Sequence, residues 1–368
     1  MRIFAVVALA SAALLAAPAP AHAEETWRVA SLNWTWSDSF LNDVEAAGPH
    51  DLWAGGGQGK KVITIPGDLL RPPITIVNVP AKPILQHWNG TAWTNFSPPE
   101  MPGEGQITNI EAVGPDDVWA AGFLGGNSLN HYLSHWDGTS WTRVTPPPDV
   151  LPNNSMVAAG GVLWTAGNAG VWSMRGGQWT EHRGHGGWPY PTATGVYALN
   201  NLQVSFYDGT SWTGIPEPPG DAGKLATSDG GLWASARTST DLHRWNGTAW
   251  ESVPLPDGYS AGATRSLADA GGPLLTVSAA GERRQFRWTG TGWTLFTGHA
   301  AAYPHTVTAT SGGAFYALNP PSRHTGTAWE ALPLQGAYGK VTAIPGSPHA
   351  VFWGGGPYGG LAITTNAP

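Results

Sequence analysis

Side chains with chemical potential are sparse in this chain of 368 residues and gather in a few short stretches. EHRGHGGWPY (Glu181–Tyr190) holds His182, Arg183, His185, Trp188 and Tyr190. TGHAAAYPH (Thr297–His305) holds His299, Tyr303 and His305, and Arg283 and Arg284 stand side by side. His182 and His185 are spaced so that they could share a metal ion. No acid or cysteine cluster accompanies them, so hydrogen-bonded or solvated histidines are expected and no metal is assigned. A hydrolase needs a positioned nucleophile or two carboxylates. Asp149, Glu181, Glu217 and Asp221 fall between the repeats described below, but spacing alone sets no distance between them. The chain has no GxSxG elbow, no HExxH and no phosphate-cradling glycine loop. No catalytic residue and no cofactor are therefore assigned. His182, Arg183, His185, Trp188, Tyr190, Arg283, Arg284, His299, Tyr303 and His305 are expected in loops on one variable face and stand as ligand-binding candidates.

These stretches must be positioned by what recurs around them. HWDGTSW (His135–Trp141) returns as HWNGTAW (His87–Trp93) and RWNGTAW (Arg244–Trp250), and more loosely as FYDGTSW (Phe206–Trp212), RWTGTGW (Arg287–Trp293), RHTGTAW (Arg323–Trp329) and SMRGGQW (Ser173–Trp179). Asn-Gly or Asp-Gly between apolar runs predicts a β-hairpin with a two-residue type I′ turn. That register sets Trp136 opposite Thr139 and Ser134 opposite Trp141, with the two indoles as diagonal neighbours on one face. Periodic aromatics of this kind mark a core before they mark a ligand platform. His87 and His135 are replaced by Arg244 in another copy, which reads as a rim position and not as a ligand.

A second element precedes each hairpin, clearest as IEAVGPDDVWAAG (Ile110–Gly122): a strand, a tight turn and a strand with a central large residue. Trp53, Trp119, Trp164, Tyr197, Trp233, Leu275, Tyr316 and Phe352 are expected at that central position. Glu45 and Glu111 precede equivalent turns, which favours a structural role for both. Units of about 35–50 residues with four short strands predict the blades of a β-propeller. The first half-unit occurs eight times and the hairpin seven. After Phe352 the chain offers a third strand at Leu361–Thr365 and stops, while ETWRVA (Glu24–Ala30) resembles a fourth strand. The N-terminal strand is thus expected to complete the last blade, giving eight blades, or seven if the weak copy at Tyr197 merges with its neighbour. Residues 57–83 form an insertion between the second and third strands of the first blade, with an extra hairpin at Val62–Ile65 and Ile74–Val79. It is either a functional loop or a tolerated decoration.

Composition fits an all-β fold and narrows the partners. There are 50 Gly, 32 Pro and 21 Trp, while charged residues make up 12%. Abundant turn formers with this many indoles predict a packed, turn-rich chain, not a disordered one. A net charge of −7 without a basic cluster speaks against nucleic acid or anionic membrane as partner. Arg2, the apolar run Ile3–Ala17 and Ala21-His22-Ala23 match an export signal cleaved near Ala23, which leaves 24–368 as one secreted propeller domain. Without cysteine, no disulfide can stabilise an exported chain, so the core must suffice.

At DDVWAAG followed by LSHWDGTSWTRV the chain resembles the Trp-rich repeat of secreted bacterial β-propellers in the kelch/galactose-oxidase-like group, over nearly all of the mature length. The Gly-Gly doublet of kelch repeats is approached at Gly55-Gly56 and Gly354-Gly355. The oxidase resemblance would imply a copper site with a Tyr–Cys cofactor, which a chain without cysteine cannot form. The expected function is that of a monomeric, non-catalytic propeller recognising a glycan or an extracellular protein through its variable loops. A polysaccharide hydrolase or lyase is the first alternative, and a structural or protein-interaction propeller the second.

Overall fold

The Asn/Asp-Gly-Thr units close hairpins, but through a longer turn than the type I′ spacing predicts. In the computed structural model Trp136 pairs directly with Trp141 and Ser134 with Arg143, leaving Asp137 to Ser140 as the bend. The Asp137 side chain explains the change. Its Oδ1 accepts hydrogen bonds from Thr139 N (2.9 Å), Thr139 Oγ1 (2.7 Å) and Ser140 N (2.8 Å). This side-chain turn requires a positive φ at Gly138 alone (89°). Asn89, Asp208 and Asn246 make the same bonds. The indoles share a face as predicted, but as a directly opposed pair with ring centroids 6.0 Å apart. A two-residue turn is found at SMRGGQW, where Arg175 pairs with Gln178 across Gly176-Gly177.

The structure describes residues 27–366 apart from short stretches, the longest at 31–37, 297–306 and 356–360. Within these, eight four-stranded antiparallel sheets follow one another around a ring. Each blade runs from inner strand a to outer strand d. Blade 1 is Phe40–Gly48, Asp51–Gln58, Lys82–Trp88 and Trp93–Asn95. Blade 2 spans 105–143, blade 3 157–183, blade 5 222–253, blade 6 264–295 and blade 7 307–331. The Tyr197 copy is a blade of its own, blade 4, with strands Pro189–Pro191, Val196–Asn200, Gln203–Tyr207 and Trp212–Ile215, so the count is eight and not seven. Blade 8 takes strands a to c from Ala337–Ala343, Ala350–Gly355 and Leu361–Thr365, and strand d from Arg28–Ala30. The N-terminal strand thus closes the ring as expected. The insertion forms a separate two-stranded sheet, Lys61–Ile65 with Ile74–Val79.

Indoles hold the blades together by a repeated rule. The strand b aromatic of one blade faces the next blade, and the Trp pair of that next blade faces back onto it. Trp53 of blade 1 meets Trp136 at 5.3 Å and Trp141 at 5.1 Å. Trp233 of blade 5 meets Trp288 at 5.7 Å and Trp293 at 5.9 Å. Buried indoles each remove about 150–250 Å² of surface from water, so these seams carry much of the core. Two positions differ from expectation by one residue. In blade 6 it is Leu274, packed with Phe296, Phe315 and Trp329, that faces the next blade, while Leu275 faces blade 5. In blade 8 Val351 and Trp353 face blade 1, and Phe352 faces back onto Tyr316 of blade 7. The alternation of a strand reverses every side chain on a one-residue slip, and the paired strand c fixes which residue is outward.

Each strand b indole is also covered within its own blade. His87 stacks on Trp53 at 4.2 Å and bonds Asp51 at 2.7 Å; His135 stacks on Trp119 at 4.3 Å and bonds Asp117 at 2.9 Å. Arg244 takes the place over Trp233 at 5.8 Å. The His/Arg exchange seen in the sequence is therefore a change of ring cover.

Candidate functional site

The histidine-rich stretch is placed in the seam between blades 3 and 4. Strand d of blade 3 runs Gln178–Arg183, so Glu181, His182 and Arg183 extend a strand where a loop was expected. Trp212 Nε1 of blade 4 donates to His182 Nδ1 at 3.0 Å, which leaves the ring proton on Nε2, facing Ser173 Oγ at 2.9 Å. His185 lies flat on Trp212, centroids 4.2 Å apart and planes 7° apart, with Nδ1 2.8 Å from Ser205 Oγ. Both histidines titrate below the ordinary value, His182 because burial and then the neighbouring His185 disfavour its cation, and His185 because of burial. Their polar atoms serve the seam. Among the described residues no three His, Cys, Asp or Glu side chains are grouped to hold a metal.

The other candidates separate. Arg183, 81% exposed, pairs with Glu181 at 2.7 Å. Tyr190 is the middle residue of strand a of blade 4 and packs half-buried in the seam toward blade 5, where burial raises its phenol. Arg283 and Arg284 lie within strand c of blade 6, Glu282–Trp288, and not in a loop; Arg284 is exposed. His299, Tyr303 and His305 lie outside the described residues.

What spacing could not show is a group of carboxylates on the inner strands of blades 1 and 2. Strand a is the inner edge of each blade, and its outward N–H and C=O groups need partners. Neighbouring blades supply them. Asn42 Nδ2 donates to Ile107 O (2.7 Å), Asp43 Oδ2 accepts from Ile110 N (2.9 Å) and Asn109 Nδ2 (3.1 Å), and Glu111 Oε1 accepts from Ala158 N (2.6 Å). Glu45 occupies the position equivalent to Glu111, each opposite its blade's strand b Trp, and has no hydrogen-bond partner among the described residues. Both keep part of their surface accessible along the inner wall, yet protein atoms enclose them. Burial, then Glu111 and Asp43, push the Glu45 carboxyl well up; burial and Asp43 push Glu111 to about 7 against the pull of the Ala158 N–H. Glu111 bridges to the next blade, as the expected structural role requires.

Blades 4 to 6 present a different surface. Trp188 sits just before strand a of blade 4, at the end of the ring where the variable loops lie, and is 53% exposed. In the seam between blades 5 and 6 a cavity of about 170 Å³ is lined by Leu225, Ala226, Trp233, Ala234, Ser235, Leu242 and Leu267. Its cause is legible in the register. Opposite the strand b aromatic, strand a carries Glu45, Glu111, Val157 and Tyr190 in blades 1 to 4, but Ala226 in blade 5. Trp233, Ala234 and Leu242 are fully buried, while Ala226, Ser235 and Leu267 are partly exposed and mark the mouth. A sealed, dry void of this size would cost on the order of 4 kcal/mol.

No family model matches the chain, and no curated protein matches it. Among solved structures, YCF48 bound to D1 peptide is 13% identical, with 94% of this chain and 97% of that one covered and a TM-score of 0.48. YCF48 from Cyanidioschyzon merolae is 12% identical, covering 92% and 98%, with a TM-score of 0.46. The SapL1 lectin in complex with alpha methyl fucoside is 13% identical, covering 73% and 98%, with a TM-score of 0.31. Such values bear on neither ligand nor reaction.

Proposed function

We propose that this chain is an exported, monomeric, non-catalytic β-propeller that binds a glycan or another extracellular surface ligand at its variable-loop end. Trp188 carries the reading. The motif indoles are spent in the seams between blades, whereas Trp188 offers a rigid aromatic face to solvent. An exposed indole stacks well on sugar or peptide surfaces and loses little conformational freedom in doing so. Export is supported by the segment 1–23, which lies outside the described residues. The test is a panel of glycans and cell-wall polymers probed with wild type and Trp188→Ala. Binding that falls in the variant at unchanged thermal stability supports the reading; no binding across both panels removes its glycan form.

A hydrolase or lyase acting on polysaccharide is the second reading, favoured by the approach of Asp43, Glu45 and Glu111 on the inner wall. A carboxyl kept protonated beside other carboxylates is the arrangement a general acid requires. It predicts release of new chain ends from a polysaccharide by wild type and not by Glu45→Gln. Equal rates in the two proteins would sink it.

A further inference from the structure

We propose that the cavity between blades 5 and 6 is a specificity pocket for an apolar group of about benzene size, a ring or a branched aliphatic, carried by the ligand. The inference deepens the binding reading above and rests on it for the ligand that carries the group. Three observations support it. The volume, about 170 Å³, is close to that of an engineered apolar cavity that stays dry and takes up benzene. The lining chemistry is that of an apolar guest: Leu242, Leu267 and the Trp233 ring, with Ser235 as a polar group at the half-exposed mouth. Its place follows from the inner strand, too. The pocket lies in the seam where the inner strand carries Ala226, while the equivalent residue one seam earlier, Tyr190, packs among Tyr197, Leu225 and Leu232. Pockets that fix ligands are commonly concave and apolar with a few polar groups at their edge.

The test uses fluorobenzene as probe and the full mature chain. Wild type is expected to show a saturable fluorine chemical-shift change and a melting temperature that rises with probe concentration. Ala226→Leu, which fills the pocket from its wall, should abolish both responses and melt higher than wild type without the probe. Leu267→Ala, which widens the mouth, should bind propylbenzene more tightly than wild type does. No saturable response in wild type, or an unchanged response in a folded Ala226→Leu, overturns the proposal. The probe reads the pocket whatever the glycan panels show, so failure here and failure of the surface-binding reading are separate results.

Discussion

Trp27 stands edge-on to Tyr316, with ring centroids 5.7 Å apart and planes at 78°, and meets Phe352 at 5.4 Å. It thereby does in the last seam what Trp141 does on Trp53 in the first complete one. The N-terminal strand is a full member of the repeat, with an anchor of its own. Trp27→Ala is expected to lower stability by on the order of 3 kcal/mol, as loss of a large packed aromatic does. Denaturant unfolding gives the size of the loss. Limited proteolysis should show cleavage near Arg28 before any other site.

The inner-wall carboxyls set an alkaline limb. Glu45 and Glu111 have folded-state values raised above the ordinary 4.5, Glu111 to about 7, so the folded chain holds protons that the unfolded chain has released. Their contribution is complete below about pH 4.5 and is lost as the pH rises through the folded-state values, about 7 for Glu111. Thermal melting should therefore weaken from pH 5 to pH 8. Glu45→Gln should remove much of that slope and melt about 2–4 °C higher at pH 8, with little change at pH 5. An unchanged slope would refute the assignment.

The histidine seam sets the acid limb, with the opposite sign. Trp212 donates to His182 Nδ1, so His182 must be neutral there, and both His182 and His185 are depressed below 6.5. That stability is present above about pH 6.5 and is lost as the pH falls through the folded-state values. Melting curves below pH 6 should show the loss in wild type and a flatter dependence in His182→Ala, which is itself less stable at neutral pH. Arg183→Ala, one residue on but exposed, should melt within about 1 °C of wild type, since exposed ion pairs contribute little.

Turn chemistry allows a cleaner substitution. Asp137 accepts three hydrogen bonds with one oxygen, and Asn89 does the same with its amide oxygen. Asp137→Asn should leave the melting temperature at pH 7 where it is, while Asp137→Ala should lower it. The Asp137 carboxyl is held at about 2 by the Thr139 hydroxyl and the Ser140 and Thr139 N–H groups, so wild type and Asp137→Asn should diverge only when the pH falls toward that value.

Much of this architecture was legible because the fold repeats itself. Seven copies of a hairpin that ends in Trp, plus an unmatched end on either side, sufficed to count blades and to predict the closing strand. Errors of one residue arose at LLTVS, which has no aromatic, and at HAVFW, where Phe352 and Trp353 are adjacent: nothing local says which large residue faces outward, and the register on strand c decides it. Another regularity was present but unread. The residue before the ring cover on strand c is polar and buried in most blades, as Gln86, Ser134, Ser205, His243 and Ser322. The candidate site was less legible. Loop histidines drew attention by type, yet His182 and His185 serve packing. The carboxylates of the inner wall and the cavity at Ala226 depend on which strands become neighbours around a closed ring, and no spacing along the chain encodes that.

The closing strand has a mechanical consequence. Arg28 pairs with Thr365 and Ala30 with Ile363, so the two ends of the chain leave the sheet at the same edge of blade 8. A force pulling those ends apart loads the backbone pairs one after another, beginning at Arg28, instead of shearing them together. The ring would peel open there like a zipper at low force.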